Sequence, residues 1–199
     1  MRSLVLIAFS LLLQLYGGMH LHAQSPGDDD FAVVLTAGGG YSHYIRPYDV
    51  PIDITRSGFA GSARLMWHPD HRLRIGLESG WTAFYHYALK DVETSFGSTD
   101  SSLSLSAIPM LVVFSMPLAG SLQLHAGTGG FFVRSHATSF GSTVDVTAFS
   151  QGWMAAASWT LTEWEGVRIE SEVKWYGATQ FDDGVVVFQL QGSVDLLRW

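Results

Sequence analysis

The sequence predicts an all-β fold, an eight-stranded antiparallel up-and-down transmembrane β-barrel, on three observations. Apolar and polar residues alternate through about eight runs, the period of a strand with one apolar and one wet face. Connections between the runs alternate between short and long. Charged residues make up only 15% of the 199 while apolar residues reach 47%. A soluble domain carries roughly 25% charged residues, so this chain lacks the charge to cover a water-facing surface.

The first run sets Phe31, Val33, Leu35, Ala37 and Gly39 against Thr36, Gly38 and Gly40. In the second, Ala63, Leu65 and Trp67 oppose Ser62 and Arg64; in the third, Leu73, Ile75, Leu77 and Trp81 oppose Arg74, Gly76, Glu78 and Thr82. The fourth puts Leu103, Leu105, Ala107, Leu111 and Val113 on one face, but Ile108, Met110, Val112 and Phe114 make its other face apolar too. Pro109 in that run removes a ladder donor and predicts a bulge or a local irregularity. The fifth sets Leu122, Leu124, Ala126 and Phe132 against Gln123, His125, Gly127 and Gly129. The sixth sets Phe149, Trp153, Ala155, Ala157 and Trp159 against Ser150, Gly152, Ser158 and Thr160.

The seventh run is the clearest: Val167, Ile169, Val173 and Trp175 alternate with Arg168, Glu170, Glu172 and Lys174. A helix would smear those charges around its circumference. The eighth sets Phe188, Leu190, Val194 and Leu196 against Gln189, Gln191, Ser193 and Asp195, and ends on Trp199. Leu197 and Trp199 fall on the wet parity, so a bulge is required to return them to the apolar face.

Residues 68–72, 117–120 and 162–166 read as tight turns. Residues 42–57, 88–101 and 135–146 read as long polar connections, and 178–184 as an intermediate one. Membrane barrels have short turns on the side of their termini and long loops outside. Trp67, Trp81, Trp159 and Trp175 fall near strand ends on the apolar face, where interfacial aromatics belong, with Tyr85 and Tyr87 continuing the third run outward.

The formal charge of −7, without any Lys/Arg cluster, excludes a nucleic-acid binder. Absence of cysteine excludes disulfides and a lipid-modified amino-terminal Cys. Residues 1–24 read as a signal peptide: Arg2, an apolar stretch over 4–15, a Gly17-Gly18 break and a cleavage region at His22-Ala23-Gln24. The apolar stretch is shorter than the roughly 20 residues of a bilayer helix. Residues 25–199 then form the barrel domain.

With its leader, its alternation and Trp199, the chain resembles the small outer-membrane β-barrel domain family, of the eight-stranded OmpA/OmpX kind. The resemblance covers about residues 28–199. Gly-rich stretches at 36–41 and 125–131, Ala107-Ile-Pro-Met110 and the terminal aromatic carry it. It implies an outer-membrane location, contact with outer-membrane lipid, and recognition by the barrel-assembly machinery through the last strand. It also implies a monomer without cofactor or metal, and no peptidoglycan-binding domain after Trp199.

On this parity the lumen holds Arg64, Arg74, Glu78, Arg168, Glu170, Glu172, Lys174 and Asp195, four basic and four acidic. An eight-stranded barrel is just wide enough for side chains to fill, so these charges are expected to pair as a structural plug. The expected function is a non-enzymatic structural or surface-interaction barrel. A narrow passive pore on the same residues is one alternative. The other is a soluble secreted lipocalin-like barrel, in which the same alternation runs inside out. His68 and His71 share a turn with Asp70, too weak a spacing for a metal site. His125 falls on the lumen face, and His136 is followed two residues on only by Thr138, so no catalytic residue is expected.

Overall fold

The computed structural model describes residues 31–45, 55–69, 73–94, 97–139, 141–178 and 184–198, leaving aside the side chains of residues 89–100. The expected leader, Asp70, His71 and Trp199 lie outside the described residues. The strands are β1 (Ala32–Ile45), β2 (Ser57–His68), β3 (Arg74–Thr94), β4 (Gly97–Ala119), β5 (Leu122–Ser139), β6 (Ser142–Trp164), β7 (Val167–Ala178) and β8 (Gly184–Arg198). Each pairs antiparallel with the next, and β8 returns to β1, closing the barrel in sequence order. Closure satisfies backbone N–H and C=O groups where lipid cannot.

Polarity is inverted relative to a soluble protein. Leu65, Trp67, Leu77, Trp81, Trp159 and Trp175 face out and are exposed, while Arg64, Glu78, Glu172 and Lys174 face in and are buried. In the lipocalin-like alternative these two sets would change places. The outward aromatics pair across strands, Phe59 with Trp81 at 6.4 Å and Trp153 with Trp175 at 5.8 Å between ring centroids.

Local chemistry explains the closure and the turns. A Cβ on Gly40 would run into the Phe188 carbonyl of β8, so glycine lets β1 and β8 approach at the closing seam. Between β6 and β7 the chain reverses at Glu165 and Gly166, both with positive φ, 47° and 82°. That is the primed turn whose twist matches a two-residue hairpin.

The bulge that parity demands on β8 is present. Val33 pairs with Leu197 and Val34 with Asp195, so Leu196 is the extra residue and Leu197 joins the outward face. At Pro109 the expected break in the ladder takes the form of a local irregularity and not a bulge. Ser79 pairs with Met110 and Thr82 with Ala107 in one register, and β3–β4 pairing merely lapses between them. The missing proline donor thus costs a stretch of ladder without shifting it.

Two of the long polar connections turn out to be hairpins. The β3–β4 ladder runs to Thr94↔Gly97 and the β5–β6 ladder to Ser139↔Ser142. Beyond the bilayer both faces are wet, so the alternation fades while Thr138, Thr143, Val144, Val146 and Thr147 still favour strand. Tyr85 also departs from expectation. A register shift between Ala83 and Tyr85 turns it inward, where it packs against the core and meets Tyr44 at 5.3 Å between ring centroids.

Candidate functional site: the lumen and the external sheet

At the centre of the lumen, two cations and two carboxylates form a closed square. Arg64 of β2 donates from Nε to Glu78 Oε2 of β3 at 2.7 Å and from Nη2 to Glu172 Oε2 of β7 at 2.9 Å. Lys174 Nζ sits 2.9 Å from Glu78 Oε1 and 2.9 Å from Glu172 Oε1. Both carboxylates and the lysine have fully buried side chains. Each charge has two opposite neighbours, which is how a low-dielectric interior tolerates ions.

Neutral groups satisfy what the square leaves open. The Tyr176 hydroxyl donates to Glu78 Oε1 at 2.7 Å, and Gln189 Nε2 to Glu172 Oε1 at 2.9 Å. His125 Nδ1 lies 3.3 Å from Arg64 Nη1, and its Nε2 lies 2.9 Å from Ser158 Oγ. Arginine can only donate. Nδ1 is therefore the acceptor, and the ring is neutral with its proton on Nε2.

The other four sequence-predicted residues lie elsewhere. Arg168 pairs with Asp195 at 3.0 Å, partly exposed at the short-turn end. Arg74 donates to Gln123 Oε1 at 2.9 Å. The expectation of a basic partner for Glu170 is corrected: its carboxylate accepts from Gln191 Nε2 at 3.1 Å, and no described cation lies within ion-pair distance. Parity put all eight on one face, but the barrel divides them by height.

Above the square the lumen turns apolar. Along β8 toward the long-connection end, the inward series is Gln191, Gln189, Val187, Val185; along β7 it is Glu172, Lys174, Tyr176. Phe131 meets Tyr176 edge-on at 5.7 Å, and Tyr44 stacks on Phe84 at 6.1 Å between centroids. Val133 and Met154 complete this cap, and the apolar lining continues down β4 through Leu111, across from Glu78, to Val113, all buried. Sequence reasoning missed it, although the doubly apolar fourth run and the odd-parity Val185 and Val187 were its signal.

Outside the barrel, β3–β6 run on as a sheet. β6 pairs with β7 only as far as Gly152, and residues 142–149 are exposed. On its outer face His136 Nδ1 lies 2.8 Å from Asp145 Oδ1, a hydrogen bond that holds the Asp145 carboxyl below its ordinary range. Ser104 stands directly across from His136 on β4. No hydrogen bond joins Ser104 to His136, and the ladder occupies the backbone N–H groups that would stabilise an oxyanion. The row lacks two of the parts acyl transfer needs.

No family model and no curated protein matches the sequence. Among solved structures, the attachment invasion locus protein Ail of Yersinia pestis, in complex with the heparin analogue sucrose octasulfate, aligns with TM-score 0.52 at 11% identity. The alignment covers 85% of this chain and 99% of Ail. The chain has the fold of small outer-membrane β-barrels. Neisserial surface protein A (TM-score 0.46, 12% identity) covers 85% of this chain and 100% of its own. The amino-terminal barrel of OprF from Pseudomonas aeruginosa (TM-score 0.46, 8% identity) covers 82% and 98%. At these identities the likeness extends to the fold alone.

Proposed function

We propose that this protein is a non-conducting barrel of the outer membrane whose role is to anchor its external sheet for contacts at the cell surface. The observation that supports this reading is the buried ion-pair square in the lumen, with a layer rich in apolar side chains above it. Ions crossing it would have to dissolve the square and then pass a layer walled mainly by buried apolar side chains, the kind of constriction that favours dewetting. The lipid-facing Trp, Leu and Phe side chains support the membrane assignment. On this reading residues 1–24 direct export, and the barrel-assembly machinery takes up the chain through β8 and Trp199.

The polyanion bound by Ail is not extended to this chain. Among described side chains of the external sheet, Arg134 is the only lysine or arginine, and it lies 3.7 Å from Asp145. The net charge of −7 also opposes polyanion capture.

The mature protein is expected in the outer-membrane fraction, with heat-modifiable gel mobility and no steady conductance in planar bilayers. Recovery as a detergent-free monodisperse protein would overturn the membrane assignment. A stable open channel would overturn the plug.

A further inference from the structure

We infer that the short-turn end of the barrel holds a binding site for a small oxyanion, a phosphate or a carboxylate, built around Arg74 and Ser115. The site lies below the ion-pair square, in a small cavity of about 20 Å³ that opens to solvent. Arg74 of β3 and Ser115 of β4 are direct cross-strand partners, and both line this cavity.

Two observations point to a ligand there. Ser115 is 2% exposed, and its hydroxyl is the one buried side-chain polar atom, among the described residues, without a hydrogen-bond partner. Native interiors rarely leave such a group unmatched. Arg74, meanwhile, is half-buried and has a neutral amide as its sole hydrogen-bond partner, Gln123 Oε1. A guanidinium removed from bulk water is costly without a counter-charge.

Neither nearby carboxylate, Asp195 or Glu170, comes within ion-pair distance of Arg74. Asp195 is held by Arg168 at 3.0 Å, with Arg198 also 3.8 Å away. Glu170 accepts from Gln191, and Arg64 is committed to Glu78 and Glu172. His68 and His125 add no negative charge. Gln123 spends its carbonyl on Arg74, which leaves its amide nitrogen to donate. The lining therefore offers a guanidinium fork, a hydroxyl and an amide, all able to donate to one acceptor group. Planar oxyanions match that fork with two parallel hydrogen bonds. A water molecule would satisfy Ser115 but leave the Arg74 guanidinium without an anion in contact.

The test uses the full refolded barrel in detergent, with unfolding followed by tryptophan fluorescence. Sodium phosphate, or sodium acetate in a second arm, replaces chloride at constant ionic strength. A saturable rise in the unfolding midpoint is expected with at least one of them. Response to phosphate alone assigns the site to phosphate, and an equal response to acetate assigns it to carboxylates.

Arg74→Gln should weaken the apparent affinity by about tenfold or more, as expected for loss of a charge-assisted fork. Ser115→Ala, a smaller change in case Arg74→Gln folds poorly, should weaken it less. Arg134→Gln, on the external sheet, should leave it unchanged. A rise that does not saturate, or that persists in Arg74→Gln, would be a general salt effect and would overturn the site. Absence of any rise would do the same, showing that Glu170 compensates Arg74 across the cavity or that only water occupies it.

Discussion

Lys174→Ala is expected to destabilise the barrel by about 3–5 kcal/mol, the range for removing one partner of a buried ion pair. The substitution leaves Glu78 and Glu172, both with fully buried side chains, to share Arg64 alone. Tyr176 and Gln189 still donate to them, but neutral donors do not cancel the second negative charge. Reversible urea unfolding in lipid vesicles measures the loss. Adding Glu78→Gln to Lys174→Ala should recover part of it, because the double variant restores a neutral lumen with one Arg–Glu pair. The cycle should therefore be non-additive. Arg168→Ala is the comparison. Its pair with Asp195 is partly exposed, 19% and 27%, and loss there should stay near the 0–1 kcal/mol of roughly solvated pairs. Equal losses at Lys174 and Arg168 would mean that water fills the lumen throughout, and the plug would fail with it.

The same contrast separates what the sequence could and could not disclose. Period-two alternation reports the face of a residue, so β7 was legible: Arg168, Glu170, Glu172 and Lys174 all point inward, as read. Alternation carries no information about partners across the barrel. Lys174 meets Glu78 ninety-six positions away, and only closure with its strand tilt sets that meeting. For the same reason Glu170 could be placed in the lumen but not matched to Gln191. The apolar cap was hidden differently. In β4 both faces are apolar because one meets lipid and the other meets Phe131 and Met154, and hydrophobicity alone cannot tell these surroundings apart. Outside the bilayer the signal disappears, and so the hairpins through Thr94 and Ser139 read as loops. The hydroxyl–imidazole–carboxylate row of Ser104, His136 and Asp145 was invisible for a related reason: its members come from three strands and meet only through register.

Leu77→Arg should cost about 2–4 kcal/mol, while Leu73→Arg, just before the same strand, should cost about 0–1 kcal/mol. Leu77 faces out on β3 and is 63% exposed, four residues from Leu73 on one side and four from Trp81 on the other. At about 3.3 Å per residue and a tilt of about 40°, each flank rises roughly 10 Å toward an interface, which puts Leu77 near the middle of an apolar band about 25 Å tall. An arginine there cannot reach either interface without distorting its surroundings, whereas one at position 73 reaches the headgroups directly. The parity is tested next door. With Leu77→Cys, a lipid-phase thiol probe should label the protein; with Glu78→Cys it should not, since Glu78 points at Arg64 and Lys174. Urea titration in vesicles gives the depth series, and mass spectrometry gives the labelling. Equal penalties at 73 and 77 would mean that the band is not centred on Leu77. Labelling at 78 rather than 77 would invert the barrel, bringing back the soluble ligand-binding alternative and removing the ion-pair square from the lumen.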